Sequence, residues 1–343
     1  HWVAYDGSDP LIAADGTINR TIYDAPGSSE AFVTYSTLAA KFDTGPLSHH
    51  LTIGFDSQDV TTDTDSYYGF AAGGRINIYE PVYGNLAPRG PIFDSPSSIT
   101  KQWALFVQDR ITWNQWTVAL GLRYTATTGD IGIIYEGRHG LSPYISWAES
   151  FEPLGTARGL NGSVLQLDPK TGTQYEIGLR YQPVGTRTLF TIAAFDITEK
   201  ERPFSNGTFV TQKNVDTRGI EFEIDSRWRD LRFRGGYSYL DARDGNDFHI
   251  ITVPTQQAVA WLTYEPSEGA LKNSRIGFGA RHNGRRWDGI DKYSADPYTL
   301  LDFMVGHDFE RVRVQLNINN LADKYYVATT DGGRSYFGAE RNI

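Results

Sequence analysis

The chain has 343 residues, no cysteine, and 32 lysines and arginines against 41 aspartates and glutamates, for a net charge of −9. The missing cysteines exclude a disulfide framework and a thiolate metal site, and the scattered basic residues argue against a nucleic-acid partner. No run approaches the roughly 18 consecutive apolar residues of a membrane-spanning helix, which excludes a helical span.

Apolar and polar residues alternate at a period of two along much of the chain. In residues 115–124 one face carries Trp116, Val118, Leu120, Leu122 and Tyr124, and the other carries Gln115, Thr117, Ala119, Gly121 and Arg123. Successive side chains of a strand point to opposite sides of the sheet, so this segment is apolar on one side only. Elsewhere the polar face is charged, as at Glu221, Glu223 and Asp225. Such charges recur opposite the apolar face along many long strands, which argues against a soluble β-sandwich and predicts an all-β transmembrane antiparallel β-barrel.

In chain order, the alternation predicts roughly sixteen strand segments. Residues 1–5 are expected to end one strand and residues 334–343 to begin another. Between them we expect hairpins that pair 31–43 with 47–58, 102–113 with 115–125, 131–137 with 142–150, 173–182 with 187–199, 214–228 with 231–243, 256–265 with 274–284, and 297–309 with 311–322.

The connections fall into two length classes. Those inside hairpins are short, whereas long ones span 6–30, 59–101, 151–172, 200–213, 285–296 and 323–333. Outer-membrane barrels have short turns on the periplasmic side and long loops outside. Seven aromatic residues close to short turns are expected to form the periplasmic girdle: Phe42, Trp113, Trp116, Tyr181, Trp228, Tyr264 and Phe309.

Several longer strings support a family resemblance. They include FVQDR at 106–110, SPYISWAESFEP at 142–153, YEIGLRY at 175–181, TRGIE at 217–221, GYSYLDA at 236–242 and NINNLADKYY at 317–326. In this order they resemble the barrel of TonB-dependent siderophore receptors, especially the ferrichrome and other hydroxamate-type branch.

The resemblance implies a barrel of about 22 strands around a plug. His1 would fall in about the seventh strand, so residues 1–343 would be the C-terminal portion of an outer-membrane β-barrel, with the plug and first strands outside them. Lumen residues expected to contact the plug are Glu221, Glu223, Arg234, Arg275, Arg281 and Arg313.

The implied function is active uptake of a ferric siderophore across the outer membrane of a Gram-negative bacterium, energised by the TonB complex. The expected partners are the ferric siderophore, TonB through a region N-terminal to this chain, and outer-membrane lipid and lipopolysaccharide. No enzymatic activity, cofactor or resident metal is expected. The seven histidines show no metal-ligand spacing, and His49 and His50, beside a turn, are expected to be solvated.

The candidate binding site lies in the long outer loops. A ferric hydroxamate is compact, coated with oxygen and apolar at its rim, so aromatic walls with a few hydroxyl or guanidinium donors suit it. Any one of these aromatic residues is expected rather to pack within its loop or to belong to the outer girdle, so the prediction concerns the group. The candidates are Tyr67, Tyr68, Phe70, Arg75, Tyr79, Tyr83, Trp287, Tyr293, Tyr336 and Phe337, with further guanidinium donors in the run 285–287.

Two alternative functions stay open. A passive or substrate-selective porin would show the same wall pattern. An outer-membrane hydrolase would need a nucleophile and base together at the rim, and no Ser-His-Asp set or carboxylate pair has readable spacing. The ligand is also open, because hydroxamate, catecholate, mixed-siderophore and cobalamin receptors share strings of this kind.

Overall fold

The computed structural model describes residues 2–5, 13–69, 75–84, 91–95, 97–125, 128–158, 164–205, 210–331 and 334–343. A single 3₁₀ turn at Arg138–Gly140 interrupts the strands of these residues. In chain order the strands are β1 (Trp2–Tyr5), β2 (Thr17–Asp24), β3 (Gly27–Thr44), β4 (Leu47–Thr64), β5 (Ser66–Gly69), β6 (Arg75–Asn77), β7 (Ile92–Asp94), β8 (Ser97–Trp113), β9 (Trp116–Tyr124), β10 (Thr128–Tyr135), β11 (Leu141–Glu152), β12 (Thr156–Arg158), β13 (Val164–Gln166), β14 (Lys170–Tyr181), β15 (Arg187–Ser205), β16 (Val210–Trp228), β17 (Leu231–Asp244), β18 (Gln256–Tyr264), β19 (Ser274–Asn283), β20 (Arg286–Trp287), β21 (Ser294–Ala295), β22 (Tyr298–Asp308), β23 (Arg313–Ile318), β24 (Val327–Asp331) and β25 (Arg334–Phe337).

The long strands form one 14-stranded sheet in the order β23-β22-β19-β18-β17-β16-β15-β14-β11-β10-β9-β8-β4-β3. Strands that follow one another in this order are also successive long strands of the chain, and those with a described register pair antiparallel, as the predicted hairpins require. Within the described residues, no helix is long and apolar enough to cross a bilayer. The chain divides into two compact units, His1–Thr37 with Gly54–Leu105, and Leu38–Ile53 with Phe106–Ile343.

The register of the second unit sorts side chains into apolar and polar rows. One apolar row crosses seven strands through Val118, Ile133, Ile145, Ile177, Ala194, Ile220 and Tyr239. Another crosses six strands through Trp228, Leu231, Tyr264, Ile276, Val305 and Leu316. One residue along from this second row, the opposite face carries Arg227, Arg232, Thr263, Gly277, Met304 and Asn317. The alternation read from the sequence is therefore present in the sheet.

The side chains of the apolar rows lie on the surface of the sheet and are largely exposed. Ile177 is 62% exposed and Trp228 65% exposed, and the buried cluster of the described residues contains only Val215, Ala242 and Ile250. Contact of so much exposed apolar surface with water would be unfavourable, whereas contact with the hydrocarbon core of a membrane is favourable. Trp113, Trp116, Trp228 and Tyr264 lie exposed at the short-turn ends of their strands, where the girdle was predicted.

The regions predicted to be long loops contain more strand than expected. Residues 6–30 include β2 and the start of β3, and β15 and β16 extend into 200–213. Residues 151–172 contain a small hairpin of their own, β12–β13. Residues 323–333 contain β24, which pairs with β25 in a second small hairpin. Residues 334–343 do begin a further strand, β25, which pairs with β24 outside the large sheet, and Asn342 then forms an antiparallel bridge with Asn319, directly after β23. Local hydrogen bonding within loops, invisible to a period-of-two pattern, explains these differences.

An arginine placed in the seven-strand apolar row tests the assignment of faces. We expect Ile177→Arg to destabilise the protein in lipid vesicles by about 2–4 kcal/mol, the cost of a cationic side chain near the bilayer midplane. Ser238→Arg is the matched control, because Ser238 lies on the polar face between Glu221 and Gln257. Urea unfolding should separate the two variants, and equal destabilisation would contradict the assignment.

Candidate functional site

The predicted binding residues fall into two groups, one in each unit. Trp287, Tyr293, Tyr336 and Phe337 belong to the second unit, and the other described candidates belong to the first. Phe70 lies outside the described residues.

In the first unit, β2 organises the candidates. Tyr67 and Tyr68 lie in β5, and Arg75 begins β6; both strands pair with β2. Tyr67 is half-buried, whereas Tyr83 is 79% exposed. Short strands, rather than irregular loop, therefore hold Tyr67, Tyr68 and Arg75 in place, whereas Tyr83 lies outside the described strands.

Tyr79 is fixed by the turn that follows β6. The Asn77 side chain donates to the carbonyl of Asp15 at 3.0 Å and accepts from the backbone N–H of Tyr79 at 2.8 Å. The Tyr79 ring lies on Gly16, whose φ is +78° and where an added Cβ would overlap the ring. Glycine is required at position 16 for both reasons. Tyr79 is 78% exposed, so this turn presents an aromatic face to a potential ligand.

In the second unit, the connection from β19 to β22 folds around Asp288. This carboxylate, only 6% exposed, accepts backbone N–H groups of Ile290 at 3.2 Å and of Lys292 at 3.1 Å. It also accepts the N–H of Tyr293 at 3.1 Å, and its own N–H donates to the carbonyl of Tyr293. Tyr293 is thus held with its ring half exposed and the Lys292 ammonium 5.0 Å from the ring centroid.

Trp287 is held by His249 from the preceding loop. The two rings stack at 5.1 Å between centroids with an interplanar angle of 15°. His249 Nδ1 lies 2.8 Å from Asp291 Oδ2, and its backbone N–H donates to Asp291 Oδ1 at 3.0 Å. On the other side of the ring, Nε2 lies 3.2 Å from the Arg243 guanidinium. Because His249 is fixed by two loops, the indole of Trp287 has a defined orientation.

The loop that carries His249 is organised by Asp244, the last residue of β17. Its carboxylate accepts backbone N–H groups of Asn246 at 2.9 Å and Phe248 at 3.2 Å, and an ammonium proton of Lys213 at 2.7 Å. Burial alone raises the pKa of Asp244, but the Lys213 ammonium and the two N–H groups outweigh burial and hold the pKa below its ordinary value.

Arg286 joins the Asp288 loop to the β24–β25 hairpin. Its guanidinium donates to the carbonyl of Val327 at 2.8 Å and to that of Ala328, and it lies 5.0 Å from the ring centroid of Tyr298. Arg286 is only 4% exposed, and its Nε has no partner among the described residues. We call this set of contacts the Arg286 clasp.

The clasp positions the last two candidates. Tyr336 and Phe337 lie in β25, opposite Thr329 and Val327 of β24, so they move with the strand that Arg286 holds. They are 47% and 57% exposed, and Phe337 stacks on Tyr325 at 4.7 Å. The structure therefore ties Trp287, Tyr293, Tyr336 and Phe337 to one connected set of loops.

A polar platform centred on the buried residues Asp302 and Asn320 supports this set of loops. Arg281 donates to both carboxylate oxygens of Asp302, at 2.6 and 2.9 Å, and the backbone N–H of Asn320 donates to Asp302 at 3.0 Å. Asn320, 2% exposed, donates in turn to the carbonyls of Lys324 and Ala339. The platform anchors the connection from β23 to β24 on the wall.

The sequence prediction missed the supporting residues Asp244, Asp288 and His249. Asp244 and Asp288 each precede a glycine. Asp-Gly pairs indicate turns in which the aspartate side chain bonds to the backbone, so this signal was available. Nothing in the sequence links His249 to Trp287, since 38 positions separate them in a chain without helical spacing.

The prediction of a solvated pair at His49 and His50 is wrong for His49. Its side chain is 12% exposed, lies 2.7 Å from Thr44 and 2.7 Å from Asp109, and stacks on Phe42. The threonine, histidine and aspartate have the connectivity of a hydrolase triad, but they lie beside the short β3–β4 turn, at the strand ends away from the long loops. They link the β3–β4 hairpin to β8.

No group of three or more His, Asp or Glu among the described residues could hold a metal ion.

Residues 3–321 match the family described as TonB dependent receptor-like, beta-barrel. The chain belongs to this family, whose members are transport receptors rather than enzymes. Its large sheet is part of the wall of a transmembrane antiparallel β-barrel. The protein is located in the outer membrane of a Gram-negative bacterium.

Individual relatives agree with this membership. The chain is 30% identical to the ferrioxamine B receptor of Salmonella typhimurium over 97% of this chain and 53% of that protein. It is 29% identical to the ferrichrome outer membrane transporter/phage receptor of Escherichia coli, over 91% of this chain and 47% of that protein. The chain thus spans about half the length of the curated relatives it matches.

Solved structures show the same fold. The ferripyoverdine receptor of Pseudomonas aeruginosa bound to ferripyoverdine superposes with a TM-score of 0.80 at 20% identity, covering 99% of this chain and 50% of that one. The ferric-catecholate import receptor Fiu of E. coli K12 also gives a TM-score of 0.80, at 19% identity, covering 99% of this chain and 58% of that one.

Removal of the Arg286 clasp should loosen the β24–β25 hairpin. Arg286→Met keeps a long apolar side chain over Tyr298 but removes the donors to the Val327 and Ala328 carbonyls, and a charged donor to a buried acceptor contributes about 1.5–3 kcal/mol. We expect amide exchange in residues 327–331 to accelerate about tenfold or more. Arg285→Met removes the exposed neighbouring guanidinium and should leave exchange unchanged. Equal exchange in both variants would contradict the clasp.

Acidification should open the loop that carries His249. A carboxylate whose pKa is lower in the folded state stabilises that state while ionised; the contribution is complete above the ordinary value of 3.8 and is lost as the pH falls through the lowered pKa. Amide protection at Asn246 and Phe248, corrected for intrinsic exchange, should therefore fall as the pH drops below 3.8. Asp244→Asn should lower protection already at neutral pH, and unchanged protection in that variant would contradict the role of Asp244.

Proposed function

We propose that this chain forms wall and ligand-binding loops of an outer-membrane receptor that takes up a ferric siderophore, with energy supplied by the TonB complex. The observation that carries the proposal is the match to the ferrioxamine B receptor across nearly the whole chain. The wall carries no covalent chemistry in this proposal, and the iron arrives within the cargo rather than as a cofactor.

The loop chemistry supports a ligand of this class. Tyr293 carries a cation over its ring, and the Arg285 guanidinium lies 5.9 Å from the Trp287 ring centroid. An aromatic face beside a cationic donor can pack on the apolar rim of a ferric complex while the donor meets its coordinating oxygens. The proposed binding residues are those predicted from the sequence: Tyr67, Tyr68, Phe70, Arg75, Tyr79, Tyr83, Trp287, Tyr293, Tyr336 and Phe337.

We further propose that the outward face above the apolar row meets lipopolysaccharide. Directly beyond Ala194, Ile220 and Tyr239, the same face carries Asp196, Arg218 and Asp241 in register across three strands. Arg218 pairs with Asp196 at 2.9 Å, and Arg243 pairs with Asp241 at 2.8 Å. This change from apolar to charged side chains marks the height at which lipid tails would give way to charged headgroups.

Direct binding tests the proposed cargo. The full-length receptor should bind at least one member of a radioiron-labelled panel that contains ferrioxamine B, ferrichrome and a ferric catecholate. Trp287→Ala should weaken that binding at least about tenfold, or 1.4 kcal/mol, because it removes an ordered aromatic wall. Tyr124→Ala removes an exposed aromatic from the apolar face of β9 and should leave the affinity unchanged.

Two results would contradict the proposal. One is the absence of tight binding across the panel. The other is a large steady conductance of the full-length protein in a planar bilayer, which would favour the porin. A plugged receptor should show no such open current.

A further inference from the structure

His249 has a different kind of partner at each of its two ring nitrogens. Nδ1 lies 2.8 Å from a carboxylate oxygen of Asp291, and Nε2 lies 3.2 Å from a guanidinium nitrogen of Arg243. An ionised carboxylate can only accept a hydrogen bond, and a guanidinium can only donate one. The two partners therefore specify a neutral imidazole that carries its proton on Nδ1 and accepts a hydrogen bond at Nε2.

A protonated imidazole does not fit this arrangement. Protonation would turn Nε2 into a second donor, and the Arg243 guanidinium has no acceptor for its proton. Two cationic groups would also lie 3.2 Å apart, largely shielded from water because the His249 side chain is only 16% exposed. Uptake of one proton would thus change this contact from a hydrogen bond into a repulsion.

Arg243 is held in place by further bonds. Its Nε donates to Asp241 at 2.8 Å, and a terminal nitrogen donates to the carbonyl of Asp247 at 2.9 Å. The backbone beneath the ring is fixed as well, since residues 243 and 249 form an antiparallel bridge and Ile250 is buried in the apolar cluster. The imidazole ring is therefore the group that moves when it is protonated.

Two loops supply the charged groups around this ring, one at the end of β17 and one between β19 and β22. These groups are Asp241, Arg243, Asp244, Asp247, Arg285, Arg286, Asp288, Asp291 and Lys292. Asp244 and Asp288 accept backbone N–H groups, and Arg286 donates to backbone carbonyls. Asp291 and Arg243 bond to the imidazole itself, so these two decide how it responds to a proton.

Movement of the ring reaches the candidate binding site through Trp287. The indole stacks on the imidazole, and its exposed surroundings include the Arg285 guanidinium at 5.9 Å from the ring centroid. Trp287 belongs to a strand of only two residues, so its side chain takes its orientation from this stack. A displaced imidazole would leave the indole without that support.

We propose that His249 is a positioning residue for capture of the cargo: its neutral ring orders Trp287, and uptake of a proton at Nε2 releases it. The inference rests on the proposed siderophore receptor and adds a proton dependence to its binding loops. Imidazole is the side chain that ordinarily gains a proton between about pH 8 and pH 5, so binding should weaken in this range. This range lies above the acid opening of the Asp244 loop.

The ring and the indole can be observed without a ligand. In the full-length receptor with isotopically labelled histidine, nuclear magnetic resonance should show the Nδ1–H tautomer of His249 at about pH 7.5. With fluorinated tryptophan, the Trp287 resonance, assigned with Trp287→Phe, should shift or broaden at about pH 5.5. The Nε2–H tautomer, or a Trp287 resonance that does not change, would overturn the proposal.

Binding of the labelled panel measures the consequence for the cargo. A panel member that binds at about pH 7.5 should bind at least about fivefold more weakly at about pH 5.5, the ratio that corresponds to one lost hydrogen bond. His249→Phe keeps a flat ring but cannot be protonated, so it should lose this difference. Because the same probe is used for both proteins, any effect of pH on the probe cancels.

A second variant moves the transition without removing the histidine. Asp291→Asn keeps an acceptor for Nδ1 but removes the negative charge that favours the imidazolium. The midpoint of the loss of binding should therefore move to lower pH. A midpoint that stays in place would overturn the proposal, because a merely structural role of Asp291 would weaken binding equally at every pH.

His282 provides the matched control. It lies in β19 of the same unit, with its Nδ1 2.9 Å from the Thr299 hydroxyl, so His282→Phe removes an imidazole outside the Trp287 stack. This variant should retain the pH difference of the unmodified receptor. Retention of the difference in His249→Phe, or its loss in both variants, would overturn the proposal.

Failure of the proposed cargo would be recognised separately. If no panel member binds at either pH, the proposed function is contradicted. The fluorine spectrum still decides whether protonation of His249 releases Trp287, because that measurement needs no ligand.

Discussion

Backbone N–H and C=O groups have no partner in hydrocarbon, so a protein that crosses a bilayer must pair them internally. In the described part of this chain the 14-stranded sheet pairs these groups from strand to strand. Once the backbone groups are hydrogen-bonded between strands, each side chain can point only to one face of the sheet or to the other. The apolar rows through Ile177 and through Tyr264, and the polar rows beside them, follow from this constraint.

In a wall of this kind, the structural variety lies in the loops that connect the strands. The outer loops of the second unit fold around individual buried polar groups as well as around the small apolar cluster that contains Ile250. Asp288 gathers backbone N–H groups, Arg286 holds two carbonyls, and Asp302 anchors the segment after β23. Each such group would be costly to bury unpaired, so each fixes its loop in one arrangement. Aromatic side chains such as Trp287 and Phe337 are thereby presented without themselves being buried.

The wall was predictable from sequence and the loop scaffold was not, for physical reasons. A period of two over nine or more residues is a long-range signal, which is why the hairpins around Gly45 and Arg229 fall where expected. The candidates Tyr79 and Trp287 were recognisable as loop aromatics, but their partners Gly16 and His249 lie far away in sequence. Charge at single positions was equally visible, whereas the opposition of Arg187, Arg227 and Arg232 depends on strand register.

The central claim is that neighbouring residues of one strand face lipid and water in turn. The chain has no cysteine, so a spin label can be placed cleanly at position 220 or 221 of the receptor in lipid vesicles. Relaxation by oxygen, which concentrates in lipid, should dominate at 220, and relaxation by a water-soluble nickel chelate should dominate at 221. Similar accessibility to both reagents at the two positions would contradict the account.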